Sequence, residues 1–157
     1  MGEVVTEMNV SIKILGPLQI EIDDAELSLS GRKIQAIFSL LAVRAGVNVR
    51  RDELIEELEL SGVRENAINA VHAHVSRLRR SLNGNHYTQS LLQSVAGGYR
   101  LNVDRLAVDA HRFSAEVERA LALAPSAPSV VATMLEDALK MWRGDTLIDA
   151  GGGPLIE

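Results

Sequence analysis

The sequence lacks cysteine altogether and contains few aromatic residues. Without cysteine, the 157-residue chain can form neither disulfides nor thiolate metal sites, and it suits a reducing compartment. Aromatic residues make up only 3% of the chain, so the 46% that is hydrophobic must build a core from aliphatic side chains. The sequence also lacks a signal-peptide pattern and any run of about 18 apolar residues. These absences predict a soluble cytoplasmic protein with no membrane partner.

An excess of positive charge is also missing, because the formal net charge is −5. Affinity for nucleic acid depends on how many phosphates are neutralised locally, so the distribution of charge matters more than its total. Residues 64–80 carry four arginines against one glutamate, whereas the acidic residues concentrate at 23–24, at 52–59 and in the C-terminal third. A local basic face on an acidic chain predicts modest non-specific DNA binding.

The basic stretch, Arg64 to Leu82, has the period of an amphipathic helix. One face of this helix is apolar. On the opposite face, small and polar residues occupy the first turns and arginines occupy the last turns. Small residues let a helix approach base edges, and arginine offers paired donors to guanine or phosphate. For the helix alone, an ordinary solvated face remains an open alternative. The predicted inward stripe consists of Ala67, Ile68, Val71, Val75, Leu78 and Leu82.

A hairpin pattern follows this helix at residues 90–103. Two runs rich in leucine, valine and tyrosine flank Gly97 and Gly98, which predict a two-residue turn, with Arg100 beside it. A helix followed by a basic hairpin is the order expected of a winged helix, in which the helix enters the major groove and the hairpin reaches an adjacent backbone or minor groove.

The rest of the chain completes the predicted architecture. Residues 9–22 and 27–29 alternate as a small antiparallel sheet, and Ser30 is expected to cap a helix that ends near Arg44. Residues 47–49 form a short extended bridge, and a second helix covers residues 51–60. The predicted fold class is an α+β winged helix (N-terminal antiparallel sheet, three helices, C-terminal wing hairpin) followed by an α-helical hairpin of a TPR-like helical domain.

The predicted domain organisation has four parts. A flexible N-terminus covers residues 1–8 and the winged-helix DNA-binding domain covers 9–104. Residues 105–150 form the first helices of a larger helical domain, from two amphipathic stretches at 108–123 and 126–142, and a tail covers 151–157. Because the pattern dissolves just as a larger helical domain would begin, we expect the chain to be a fragment of a longer protein.

Six segments in this order resemble the family of Streptomyces antibiotic regulatory proteins. The resemblance covers residues 8–150 and is carried by the ordered set more than by any one segment. The segments are ILGPLQI (14–20), RRDELIEEL (50–58), VHAHVSRLRRSL (71–82), GGYRL (97–101), VDAHRF (108–113) and MWRGDTL (141–147).

The resemblance implies an OmpR-like winged helix joined to the start of a bacterial transcriptional activator domain. It implies a nucleoid-associated activator of a secondary-metabolite gene cluster that binds promoter direct repeats in double-stranded DNA. It further implies a second protomer placed head to tail on the DNA and recruitment of the RNA polymerase holoenzyme. No cofactor is implied.

The resemblance also assigns roles to individual residues. The candidates for base contact are Ala70, His72, Ala73 and Arg77. The candidates for phosphate or wing contact are Asn69, Ser76, Arg79, Arg80 and Arg100. The loop expected to face RNA polymerase consists of Glu59, Leu60, Ser61, Gly62, Val63, Arg64 and Glu65.

The sequence departs from the family pattern near its second helix and in its wing. Glu59 stands where the family usually has tryptophan, and Arg50 replaces a serine, so a reciprocal cap with Glu53 is expected to be lost. The first strand of the wing lacks the basic residue often found there. Two alternatives stay open: a response-regulator-type output domain, and a winged-helix protein-interaction module without DNA binding.

Metal binding and catalysis are not expected. His72 and His74 are two residues apart, which places them roughly 200° apart around a helix and prevents chelation of one ion. The glycine clusters lack the strand, loop and helix context of a phosphate cradle. No pairing of a nucleophile with a base stands out, so the sequence predicts a protein that is not an enzyme.

Overall fold

The computed structural model describes residues 9–60, 62–82 and 91–146, and the predicted flexible N-terminus and tail lie outside them. An antiparallel sheet opens the fold, with strand order β1-β2-β3. A two-residue turn joins its last two strands, and Asp23 and Asp24 there have φ of 51° and 64°. This conformation is that of the type I′ turn, which aspartate tolerates better than most residues. The strands are β1 (Val10–Lys13), β2 (Gln19–Ile22) and β3 (Ala25–Leu27).

Three helices form the centre of the molecule. They are α1 (Arg32–Val43), α2 (Arg51–Glu57) and α3 (Arg64–Leu82). Helix α1 is buried over most of its circumference, and Ile37, Leu40 and Leu41 are fully inaccessible to solvent. One continuous core joins α1 with the inner stripe of α3 and with the buried face of the first sheet. The predicted bounds of α3 are confirmed.

The start of α1 differs from the prediction, because Ser30 does not cap it. Gly31 is the N-cap residue, with φ of 104°, and no side chain caps the helix. A glycine with positive φ turns the chain sharply at this point and leaves Ser30 one residue outside the capping position. The Gln35 side chain ties the segment down instead, since its amide donates to the carbonyl oxygen of Leu29 over 2.8 Å.

Helix α2 ends at Glu57, earlier than the predicted Leu60. Glu59 takes a left-handed conformation with φ of 52°. Its amide donates to the carbonyl of Glu56, and the amide of Leu60 donates to the carbonyl of Ile55 over 3.1 Å. These two bonds form a Schellman motif, which stops the helix and satisfies its last carbonyls. Glutamate occupies the position that most often holds glycine.

The cap at the start of α2 is half retained, so its predicted loss is partly wrong. The carboxylate of Glu53 accepts a hydrogen bond of 2.9 Å from the backbone amide of Arg50. Arginine has no acceptor with which to return the bond. Glu53 also accepts from the guanidinium of Arg44. That hydrogen bond holds the pKa of Glu53 below its ordinary value of 4.5, against the opposing effect of burial.

A second sheet follows α3 and has the order β4-β6-β5. Its strands are β4 (Val49–Arg50), β5 (Leu92–Val95) and β6 (Gly98–Leu101). The predicted extended bridge therefore contributes an edge strand to this sheet, and we call the β5–β6 hairpin the wing.

The wing turn lies one residue earlier than predicted. Val95 pairs with Gly98, so the two-residue loop is Ala96 and Gly97, and only Gly97 has a positive φ, of 78°. Gly98 belongs to β6, where a Cβ atom would lie 2.0 Å from the carbonyl oxygen of Val49. The two glycines therefore have different roles. Gly97 forms the turn, and Gly98 lets β4 approach β6 closely.

Two helices, α4 (Asp109–Leu123) and α5 (Pro128–Leu139), follow a short 3-10 turn at Arg105–Ala107. Proline at the first position of α5 explains why this helix begins later than predicted, since proline suits a helix start and lacks the amide that the interior needs. The two helices pack against each other. Phe113 and Trp142 meet edge to face, with ring centroids 5.6 Å apart.

The start of α4 is built into the core of the winged helix. Val108 is fully buried and pairs with Ile12 through an isolated parallel bridge. The buried carboxylate of Asp109 accepts hydrogen bonds from the amides of Ile14, over 2.7 Å, and Leu15, over 3.2 Å. The helical pair is therefore joined to the first sheet by hydrogen bonds as well as by chain connectivity.

Arg143 makes a second attachment to the same loop after β1. Its amide donates to the carbonyl of Leu15 over 2.8 Å. Its guanidinium donates to the carbonyl of Pro17 over 2.7 Å and to the side-chain oxygen of Gln19 over 3.1 Å. Gly16 lies beneath it with φ of 142°, and a Cβ atom there would be 3.0 Å from that of Arg143. Both ends of the helical pair thus attach to one loop.

Candidate nucleic-acid interface

The outer face of α3 presents most of the predicted base and phosphate candidates to solvent. Ala70 is the half-buried member of the base group, because it adjoins the inner stripe. The exposed members are Asn69, His72, Ala73, Ser76, Arg77 and Arg80. The opposite face packs into the core through Ala67, Val71, Val75, Leu78 and Leu82. Ile68, predicted inside with them, is half-buried.

Arg77 and Arg80 have free charged groups. Both side chains are exposed, and within the described part of the chain neither guanidinium has a hydrogen-bonding or ionic partner. An unpaired exposed guanidinium can bind phosphate or a guanine edge without first breaking an internal contact. These two residues are the strongest basic candidates on the helix.

Arg79 lies in the same turns but points to the wing. Its Nη2 donates to the hydroxyl of Ser94 over 2.6 Å and lies 3.4 Å from the carbonyl oxygen of Leu92. Its Cζ is 5.8 Å from the centroid of the Tyr99 ring, in the range of a cation–π contact. Burial raises the pKa of Tyr99, although the charges of Arg79 and Arg51 oppose that effect. Arg79 therefore joins the recognition helix to the wing.

Arg100 is also engaged inside the protein. It is half-buried in β6, and its Nη2 donates to the side-chain oxygen of Gln93 over 2.6 Å. Its Nη1 lies 3.5 Å from the side-chain oxygen of Asn48, and its buried Nε has no hydrogen-bond partner among the described residues. To contact a phosphate, the Arg100 side chain would have to break its contact with Gln93 or with Asn48.

His74 borders the inner stripe of α3 and is half-buried. Burial lowers its pKa, and the nearby positive charges of Lys33 and Arg77 lower it further. The neutral form is therefore favoured at neutral pH, which excludes a charge-based phosphate contact by this side chain. In contrast to His74, the base candidate His72 is exposed.

A cleft that sequence reasoning missed lies between the wing turn and the starts of α2 and α3. It has a volume of about 330 Å³. Three arginines converge on it, and Asp52 pairs with Arg64 over 3.1 Å. The paired arginines at 50 and 51 were the available signal, but only the fold brings them beside the wing. The lining residues are Arg50, Arg51, Asp52, Arg64, Ile68, Ala96 and Gly97.

The loop between α2 and α3 leads to Arg64, which lines this cleft. Val63 is 66% exposed, an unusual environment for a valine, and Leu60 is half-buried. Arg64 and Glu65 form the first turn of α3 instead of belonging to the loop. Of the residues predicted to face polymerase, Ser61 lies outside the described residues.

Neither a membrane-spanning helix nor a metal-binding cluster occurs in residues 9–60, 62–82 and 91–146. These residues contain no helix with the length and apolar character needed to cross a membrane. They also contain no group of three or more histidine, aspartate or glutamate side chains arranged to hold a metal ion.

Comparison with known proteins agrees with this geometry. The family described as "Transcriptional regulatory protein, C terminal" matches residues 24–101. "Transcriptional regulator RedD" of Streptomyces coelicolor is 37% identical over 147 residues, which cover 92% of this chain and 42% of that protein. "Regulatory protein DnrI" of Streptomyces peucetius is 28% identical over 154 residues, covering 94% of this chain and 57% of that protein.

A solved structure, "Mycobacterium tuberculosis EmbR in complex with low affinity phosphopeptide", superposes with a TM-score of 0.81 at 29% identity. The match covers 92% of this chain and 38% of that chain. The chain therefore spans roughly half or less of the length of these relatives. Residues 24–101 match the winged-helix family of transcriptional regulatory domains, and the chain is similar over nearly its whole length to regulators of the Streptomyces antibiotic regulatory protein family.

Proposed function

We propose that this chain is a DNA-binding transcriptional activator that places α3 in the major groove. The observation that carries the proposal is the outer face of α3, where small side chains precede two exposed arginines, Arg77 and Arg80, that have no partner among the described residues. The small residues permit close approach to the bases, and the arginines supply the donors. The wing lies beside α3, where Arg79 contacts Ser94, so it can reach the neighbouring backbone.

We assign base contact to Ala70, His72, Ala73 and Arg77, and phosphate contact to Asn69, Ser76 and Arg80. The arginine-lined cleft adds Arg50 and Arg51 as further phosphate candidates. It lies between the wing turn and α3, so a backbone that passes from the major groove to the wing would cross it. Arg100 remains a candidate for wing contact, and its internal hydrogen bonds would have to rearrange.

Promoter recognition requires more than one protomer. A single recognition helix reads only a few base pairs, which is too little to select one promoter among the competing sites of a genome. Direct repeats one helical turn apart place two protomers on the same face of DNA. We therefore propose a head-to-tail pair, in which two different surfaces of the chain meet.

We propose that the loop after α2, with exposed Val63, contacts the RNA polymerase holoenzyme. An exposed apolar side chain at a loop tip beside the DNA face is available to a partner bound at the same promoter. RedD and DnrI are Streptomyces regulators of the antibiotic regulatory protein family, which favours a secondary-metabolite gene cluster as the target. We propose that α4 and α5 are the first helices of a TPR-like activator domain. This domain would act at the nucleoid, where the promoter DNA, the second protomer and RNA polymerase are present.

Binding to duplex DNA tests the proposal directly. We expect the wild-type chain to shift a labelled promoter fragment from its own gene neighbourhood, and Arg77→Ala to reduce discrimination against mutated fragments by about 1–3 kcal/mol at one base position. Arg119→Ala is the matched control, because Arg119 is exposed on α4 and its one partner among the described residues is Glu116. Failure of the wild-type chain to bind any duplex would favour a protein-interaction module instead.

A further inference from the structure

Arg79 differs from the other arginines of α3 in what it contacts. Its guanidinium reaches the wing, donating to Ser94 of β5 over 2.6 Å and lying 5.8 Å from the ring centroid of Tyr99 of β6. Arg77 and Arg80, on either side of it, are exposed and unpaired within the described residues. Of the three arginines in the last turns of the helix, Arg79 is therefore directed to the wing, and Arg77 and Arg80 are directed outward.

The contact reaches the whole second sheet. Tyr99 stands opposite Ser94 in one ladder and opposite Val49 in the other, so it lies on the central strand. Tyr99 is 6% exposed, which fixes its ring and makes it a stable platform for the guanidinium. A group held against both Ser94 and Tyr99 is therefore anchored to two strands and, through the central one, to β4.

We propose that Arg79 is a positioning residue that fixes the wing relative to the recognition helix, and so sets the separation between the groove contact and the wing contact on DNA. This inference rests on the proposed function, since it concerns how the two DNA-contacting elements are held. It differs from the role that the family resemblance implies, in which Arg79 contacts a phosphate. With the wing fixed in advance, less conformational freedom is lost when DNA binds.

The contact geometry explains why arginine is needed here. Its planar guanidinium can donate to the hydroxyl and the carbonyl of β5 while its face lies over an aromatic ring. Lysine keeps the charge, but its compact ammonium has no planar face to lie over the ring of Tyr99. Charge and positioning can therefore be separated with one conservative substitution.

The experiment measures binding to a mixed-sequence duplex over a range of salt concentrations. The slope of log affinity against log salt counts the phosphates neutralised, at about 0.9 per phosphate. We expect both Arg79→Ala and Arg79→Lys to weaken binding about three- to tenfold, because the wing must then be ordered on binding. We expect the slope to stay at the wild-type value, because the wing still reaches the same phosphates once ordered.

Two companion variants complete the design. Arg80→Ala is the matched control for a true phosphate contact and should reduce the slope by about one phosphate. Ser94→Ala removes the partner instead of the arginine. It should weaken binding in the same direction, and the double variant with Arg79→Ala should be no weaker than Arg79→Ala alone. Amide hydrogen exchange should accelerate in the wing of each Arg79 variant.

The opposite pattern overturns the inference. If Arg79→Lys binds as the wild type does while Arg79→Ala loses about one phosphate from the slope, Arg79 acts by charge on DNA and the positioning role is wrong. Unchanged hydrogen exchange in the wing of Arg79→Ala also counts against it. If the wild-type chain binds no duplex at all, the proposed function itself fails, an outcome distinguishable from either of these.

Discussion

Replacing Asp109 should destabilise the chain more than its position at a helix start suggests. The carboxylate is 2% exposed and accepts hydrogen bonds from the buried amides of Ile14 and Leu15. Asp109→Ala removes both acceptors and leaves two buried donors without partners. A buried donor left unsatisfied costs about 1–3 kcal/mol. With partial relaxation of the loop after β1, we expect a total loss of about 3 kcal/mol in the free energy of unfolding.

Thermal unfolding followed by circular dichroism measures this loss. For a chain of this size 1 kcal/mol corresponds to about 2–4 °C, so Asp109→Ala should lower Tm by about 6–12 °C. Asp109→Asn keeps one acceptor oxygen but turns an amide group toward the second donor. Its Tm should therefore lie between those of the wild type and Asp109→Ala. The emission of Trp142, the single tryptophan of the chain, reports separately on whether the helical pair leaves the winged helix first.

Asp104 provides the matched control. Its carboxylate also accepts a backbone amide hydrogen bond, from Leu106 over 2.8 Å, but in an exposed setting where water can replace it. Asp104→Ala should therefore cost only about 1 kcal/mol, the usual value of an N-cap. Equal Tm values for Asp104→Ala and Asp109→Ala would refute the argument that burial at the junction makes the Asp109 contacts strong.

Three further predictions follow from the structure. Glu59→Gly should raise the free energy of unfolding by about 0.5–1 kcal/mol, because glycine adopts the left-handed conformation without the penalty that a Cβ atom brings; urea denaturation, with Glu56→Gly inside α2 as a destabilised control, checks this. The lowered pKa of Glu53 means that the unfolded chain binds its proton more readily than the folded chain does. The stabilisation that Glu53 provides is therefore complete above its ordinary pKa of 4.5 and is lost as the pH falls through its lowered pKa in the folded chain. The difference in free energy of unfolding between the wild type and Glu53→Gln should narrow on acidification. A constant difference would contradict the conclusion that Arg44 lowers the pKa of Glu53. On promoter DNA, inserting about 5 base pairs between direct repeats should abolish cooperative binding and inserting about 10 should partly restore it, whereas equal binding at every spacing would leave only independent monomers.

The sequence was sufficient for the elements whose signals are local. The apolar period of α3 persists over 19 residues, which is long enough to fix both its ends and its buried stripe. The wing was recognisable as a hairpin, but its turn was placed one residue late. Two adjacent glycines mark a turn without showing which one a neighbouring strand approaches, and the position of β4 against Gly98 decides that in three dimensions.

The contacts that sequence reasoning missed at the DNA face and at the helical junction depend on partners distant in the chain. Arg79 and Arg100 are basic residues on the predicted DNA face, yet each donates to side chains that the fold brings beside it. The amides of Ile14 and Leu15 meet a carboxylate about 95 residues away, and no local pattern reveals such a contact. A helical wheel or a strand alternation shows which face of an element is outward. It does not show which residues of other elements pack against that face.

The junction gives a physical reason for three of the segments that carry the family resemblance. The segments at 71–82 and 97–101 supply α3 and the wing, which any winged helix of this type requires. The segments at 14–20, 108–113 and 141–147 contain the loop after β1, Asp109 and Arg143, and all three meet at that loop. One attachment alone would leave the helical pair free to pivot about it. Since Asp109 begins α4 and Arg143 follows α5, the loop holds both ends of the pair, so a change in the helical unit must displace either these contacts or the first sheet.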